Sequence, residues 1–80
     1  MGFSDAALKQ DIQKVGQVGD VNLYRWKWND TAKAIGADKE PSTGVIAQEV
    51  EAKYPQRVIK DASGFRRVDY AGLYSDLGAL

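Results

Sequence analysis

Apolar positions along the chain change period several times, and each change predicts a different element. Leu8, Ile12 and Val15 follow Ser4 and Asp5 at helical spacing, with Lys9, Gln10 and Gln13 facing elsewhere. This predicts an N-terminal helix, with Ser4 or Asp5 capping its free N–H groups and the Asp5 carboxylate near its positive end. Gly16 and Gly19 then mark a loop over 16–20 that ends the helix and opens a turn. Residues 21–28 alternate. Tyr24, Trp26 and Trp28 lie on one side and Leu23, Arg25 and Lys27 on the other, which predicts a strand with one aromatic face. Residues 29–43 are small and charged, and read as a surface loop carrying one helical turn around 31–35.

A second periodic stretch begins at Gly44. A short apolar run at Val45, Ile46 and Ala47 passes into four-residue steps at Ile46, Val50 and Tyr54, which predict a central helix stopped by Pro55. Glu49 and Lys53 are spaced for an ion pair on that helix, and Glu51 reads as solvated charge. Two short runs of strand-favouring residues flank the turn formers 61–64 and predict a hairpin over 57–68. Asp69 is placed to cap a final helix with Leu73, Leu77 and Leu80 on one side and Tyr70 and Tyr74 nearby, weakened by Gly72 and Gly78. The expected fold class is therefore α+β: a small single domain with an N-terminal helix, short strands with a hairpin, and central and C-terminal helices. Residues 1–3 read as a leader and residues 4–80 as the domain.

Composition narrows the chemistry. Eighty residues give one modest core, and the chain has no cysteine for a disulfide or thiolate site. It has no histidine, which excludes His-based triads, His-ligated zinc and a histidine pH switch. No metal or other cofactor is expected. Eleven basic and eleven acidic residues cancel, so nothing calls for a nucleic acid or an anionic membrane as partner. No apolar run approaches a membrane span, and no secretory signal precedes Ser4. So small a core favours a homo-oligomer. Gly36 and Gly44 lack the spacing and lysine of a phosphate loop, and Arg66 with Arg67 reads as ion pairing.

One pair of residues has a sharper chemical reading. A serine hydroxyl is a weak nucleophile, but a neutral lysine amine beside it can take its proton, and Ser-Lys pairs do this work in known variants of the serine triad. Ser4 and Lys9 are five positions apart. In an unbroken helix that spacing turns the two side chains about 140° away from each other. They meet only if Ser4 lies outside the helix and the chain folds back, and the amine reacts at neutral pH only if burial lowers its pKa. The competing reading of Ser4 is a plain helix cap. Gln48, an amide at a helix entry, is a candidate for polarising a carbonyl. The aromatic face of Tyr24, Trp26 and Trp28 reads as core, as a subunit interface, or as a platform for stacking on sugar or single-stranded nucleic acid.

Taken in order, Ser4-Asp5, Leu8-Lys9 and Ile12, the strand 24–28, the segment 44–55, and residues 64–73 with Val68-Asp69-Tyr70 form a series. The series resembles the C-terminal intramolecular chaperone, auto-processing domain of phage tailspikes and tail fibres, the chaperone-of-endosialidase family. That resemblance implies a domain that promotes trimerisation and folding of an upstream tailspike or fibre segment, then cuts itself free. It implies Ser4 as nucleophile, Lys9 as general base and the Phe3–Ser4 bond as the one cut, in a self-cleaving serine endopeptidase that turns over once. It places the protein in the virion tail, or in the host cytoplasm during assembly. The alternative is a non-catalytic virion module that keeps the same fold.

Overall fold

The structure, a computed structural model, describes residues 1–79. Its strands are β1 (Gly2–Phe3), β2 (Lys9–Val18), β3 (Val21–Trp28), β4 (Thr43–Gly44), β5 (Val58–Lys60) and β6 (Arg66–Val68), and its α-helices are α1 (Asp30–Ala34), α2 (Ala47–Lys53) and α3 (Tyr70–Asp76). Single 3-10 turns lie at Ala6–Leu8, Ala37–Lys39 and Pro55–Arg57. The strands form two antiparallel three-stranded sheets, ordered β1-β6-β5 and β2-β3-β4. The α+β class expected from the pattern is the one observed.

The N-terminal helix is not. Only the 3-10 turn Ala6–Leu8 is helical there, and the chain then runs ten residues as β2. The apolar spacing of Leu8, Ile12 and Val15 fits a helix locally, but pairing with β3 from Lys9↔Trp28 to Val18↔Val21 satisfies the backbone over a longer span. Leu8 is buried, whereas Ile12 and Val15 face solvent. Register shifts between Gln10 and Gln13 and between Lys14 and Gly16 accompany a left-handed Asp11, the bulge geometry that bends an edge strand. Gly16 to Val18 belong to this strand, so the turn into β3 narrows to Gly19 and Asp20, with Gly19 at positive φ.

From β3 onward the main elements follow the pattern, except that the stretch read as a surface loop over 29–43 also buries Ala37 and ends in β4, paired with β3. Trp26 and Trp28 point inward and meet edge to face, with Phe3, Leu8, Ala32 and Ala37 around them. The helical turn expected around 31–35 is α1, capped by Asn29. Helix α2 buries Ala47 and Val50 against Val21, Val45, Val58, Val68 and Leu73, and ends before Pro55. The expected Glu49–Lys53 pair does not form. Tyr24 donates to Glu49, and Lys53 turns to Asp20, because β3 and its turn lie within reach of both. Glu51, expected to be solvated, pairs with Arg66. Leu80 lies outside the described residues. Among the described residues, no helix is long and apolar enough to cross a membrane.

Helix α3 depends on Asp69. One carboxylate oxygen accepts from the Gly72 N–H at 3.0 Å, and the other meets Arg57 at 3.2 Å. A Cβ on Gly72 would run into both groups, so the cap requires glycine there. Asp69→Ala is expected to cost about 1–2 kcal/mol, read as a lower thermal midpoint.

Candidate active site

The 3-10 turn brings Ser4 and Lys9 together. Asp5 starts it, its carboxylate accepting from Ala7 N–H, and Leu8 N–H closes back onto the Asp5 carbonyl at 3.0 Å. Lys9 then opens β2 opposite Trp28. The chain has reversed, so Ser4 stands outside any helix and the 140° divergence does not arise. Lys9 Nζ donates to the Ser4 carbonyl at 2.7 Å and to the Val45 carbonyl at 2.7 Å, and lies 3.7 Å from the centre of the Trp26 ring. Its hydrogen bonds run to the main chain of Ser4, not to the hydroxyl.

Both residues are inside the protein. Ser4 is 0 % exposed and Lys9 6 %. Burial drives the Lys9 pKa down from 10.5 to about 7, against the opposing charges of Asp5 and Glu49. An amine at that value is neutral in a large fraction of molecules at physiological pH. A neutral amine keeps two N–H donors, one for each carbonyl, and has its lone pair left over.

The main chain around Ser4 is pinned on both sides. Its N–H donates to the Arg66 carbonyl at 3.2 Å, and its carbonyl also accepts from Ala47 N–H at 2.8 Å. One residue earlier, Phe3 N–H donates to Glu40 Oε1 at 2.9 Å, and the Arg67 guanidinium sits 3.6 Å from the Phe3 ring centre. Phe3 is buried in the tryptophan cluster and its strand β1 pairs with β6. The three residues read as a leader thus include a short strand and a core side chain.

Gln48 lies close to the turn. Its Oε1 accepts from Ala6 N–H at 3.0 Å and its Nε2 donates to Asp5 Oδ1 at 2.7 Å. Asp5 also accepts from Arg66 N–H and lies 3.8 Å from its guanidinium. Burial raises the Asp5 pKa, but the donors from Ala7, Arg66 and Gln48 outweigh it and hold the carboxyl below its usual value. The aromatic residues separate: Trp26 underlies Lys9, Trp28 donates its indole N–H to the Glu40 carbonyl, and Tyr24 holds Glu49.

Two neighbours are not among the site residues that the sequence singles out. Tyr70, the first residue of α3, hydrogen-bonds through its hydroxyl to Ser4 Oγ and also accepts from Val45 N–H at 3.2 Å. Val45 supplies both that donor and a carbonyl for Lys9. Among the described residues, no cluster of acidic side chains is arranged to hold a metal ion.

No curated protein and no solved structure gives a significant match to the chain. A family model does. The peptidase family described as chaperone of endosialidase matches residues 4–59, beginning at Ser4 and taking in Lys9 and Gln48. The match spans well over half of the 80 residues, so the chain belongs to the chaperone-of-endosialidase family and at that level is an intramolecular chaperone.

Proposed function

We propose that this domain gathers the chains of an upstream phage tailspike or tail-fibre segment into a trimer and then severs the Phe3–Ser4 bond, with Ser4 as nucleophile and Lys9 as base. The observation that carries the reading is the buried Lys9 amine, bonded to the Ser4 carbonyl with its pKa lowered to about 7. The substrate is covalently supplied, so no binding pocket is required. The Lys9 lone pair takes the Ser4 hydroxyl proton as Oγ attacks the Phe3 carbonyl carbon. The resulting tetrahedral centre breaks its bond to the Ser4 nitrogen, and that nitrogen receives the proton from the Lys9 ammonium. Phe3 is then esterified to Oγ. Water hydrolyses the ester to give a Phe3 carboxylate and a chain beginning with the Ser4 amine. Gln48 braces Asp5 and Ala6 and so holds the turn that returns Lys9 to Ser4.

Trimerisation has its own support. Interleaved fibre chains pair over long sequence separations and nucleate slowly, and joining three domains raises their effective concentration. Strand β2 is a ten-residue sheet edge with Ile12 and Val15 outward, an unpaired border that another copy would cover. The work takes place on the virion tail or in host cytoplasm during assembly.

The test is a tagged chain followed by intact mass. The expected product begins at Ser4, and Ser4→Ala is expected to remove it. Cleavage of Ser4→Ala at the parent rate would exclude the mechanism.

A further inference from the structure

The Ser4 hydroxyl is completely buried, and its hydrogen-bond partner is a tyrosine 66 residues away. That tyrosine is half-buried and packs against the larger core cluster. Its oxygen accepts from Val45 N–H at 3.2 Å, and an amide can only donate, so this contact takes one phenol lone pair and leaves the phenol hydrogen free. Ser4 Oγ lies where that hydrogen can go. The backbone opposite has made room for it: a Cβ at Gly44 would overlap the Tyr70 hydroxyl. Asp69 fixes the start of the helix one residue earlier. Tyr70 lies outside the residues that the family model matches.

We propose that Tyr70 is a third working member of the site, its phenol donating to Ser4 Oγ so that the hydroxyl is held in one orientation and the oxygen is stabilised as it gains charge. This rests on the self-cleavage reading above. The phenol keeps its own proton throughout. With Oγ accepting from Tyr70, the serine hydrogen is free to pass to Lys9. With the opposite polarity, the serine proton would be tied to the phenol and withheld from the amine. Gly44 is the clearance that lets the donor reach the nucleophile.

Burial is the main cause that raises the Tyr70 pKa, with Tyr74 and Glu40 adding to it and the contacts from Ser4 and Val45 opposing it. Lys9, the other titratable group at Ser4, is bonded to the Ser4 carbonyl. A phenol that must stay protonated to donate gives the reaction an alkaline limit, and that limit moves with the acidity of the phenol.

The experiment follows loss of residues 1–3 from the tagged full chain for the parent, Ser4→Ala, Tyr70→Phe and Gly44→Ala. Tyr70→Phe is expected to slow cleavage about 10- to 100-fold while the far-ultraviolet spectrum stays that of the parent. Gly44→Ala, which keeps the phenol but displaces it, is expected to show a loss of similar size. Replacing Tyr70 by 3,5-difluorotyrosine, a more acidic phenol of nearly the same shape, is expected to bring the alkaline limb of the rate profile to lower pH. A purely packing role would leave that limb in place. If the parent cleaves and Tyr70→Phe cleaves equally fast, Tyr70 is excluded and the Ser4–Lys9 pair stands. An unmoved limb in the difluoro protein has the same meaning, and decides the matter should Tyr70→Phe fail to fold. A parent that never cleaves overturns the dyad and Tyr70 together.

Discussion

Lys9→Met is expected to slow self-cleavage about 10²- to 10⁴-fold and, at pH 6, to make the domain more stable. The two effects run in opposite directions because one buried amine causes both. A pKa moved from 10.5 to about 7 corresponds to about 5 kcal/mol set against the charged form. The sign follows from proton counting. Between pH 7 and about 10 the unfolded chain holds the lysine proton more firmly than the folded one, so stability rises with pH across that window. Below pH 7 the folded protein keeps an ammonium in its interior and the full penalty applies. Above pH 10 the raised pKa values of the half-buried Tyr70 and Tyr74 reverse the slope, since the unfolded tyrosines ionise first.

Methionine fills the same channel over Trp26 without charge, but gives up the donor to Val45. That loss subtracts about 1–3 kcal/mol and leaves a net gain of about 2–4 kcal/mol at pH 6. Urea unfolding of Ser4→Ala and of Ser4→Ala/Lys9→Met, at pH 6 and pH 9, measures it without interference from cleavage. A double variant that is less stable at pH 6 would show that the protein carries no penalty for the amine.

The other large effect belongs to Phe3. Phe3→Ala is expected to cost about 3–5 kcal/mol, the usual price of emptying an aromatic site in a core. The ring is 7 % exposed, packs with Leu8, Trp26, Trp28, Ala32 and Ala37, and lies under the Arg67 guanidinium. Glu40 ties the region together, accepting from Phe3 N–H and meeting Arg67 at 3.4 Å. A domain of 80 residues has little stability to spare, so such a loss removes a large share of it. Urea midpoints of Ser4→Ala and Phe3→Ala/Ser4→Ala provide the comparison. A difference below about 1 kcal/mol would mean that β1 sits on the surface of the fold and not within it.

Elements whose signals are local were legible in the sequence. The alternation of Tyr24, Trp26 and Trp28, the stop at Pro55, the turn formers between β5 and β6, and the cap at Asp69 each act within a few residues. The error over residues 9–18 has the opposite origin. Leu8, Ile12 and Val15 satisfy a helical period, and only pairing with β3 decides otherwise, a contact invisible to a short window. The site was legible unevenly. Family resemblance singled out Ser4 and Lys9, while helical geometry argued against them because it assumed the wrong element. Tyr70 falls within the family series and Val45 within an apolar run, but nothing local marks either as part of the site, since the bonds that draw them to Ser4 and Lys9 cross 66 and 36 residues of chain.

The last side chain before the proposed cut is an internal plug, and that separates scission from parting. A hydrolysed Phe3–Ser4 bond leaves the ring still wedged beneath Arg67 and the main chain still gripped by Glu40 and β6. The severed end departs only when the plug is withdrawn, so the dwell time between the two events is governed by packing and not by peptide chemistry.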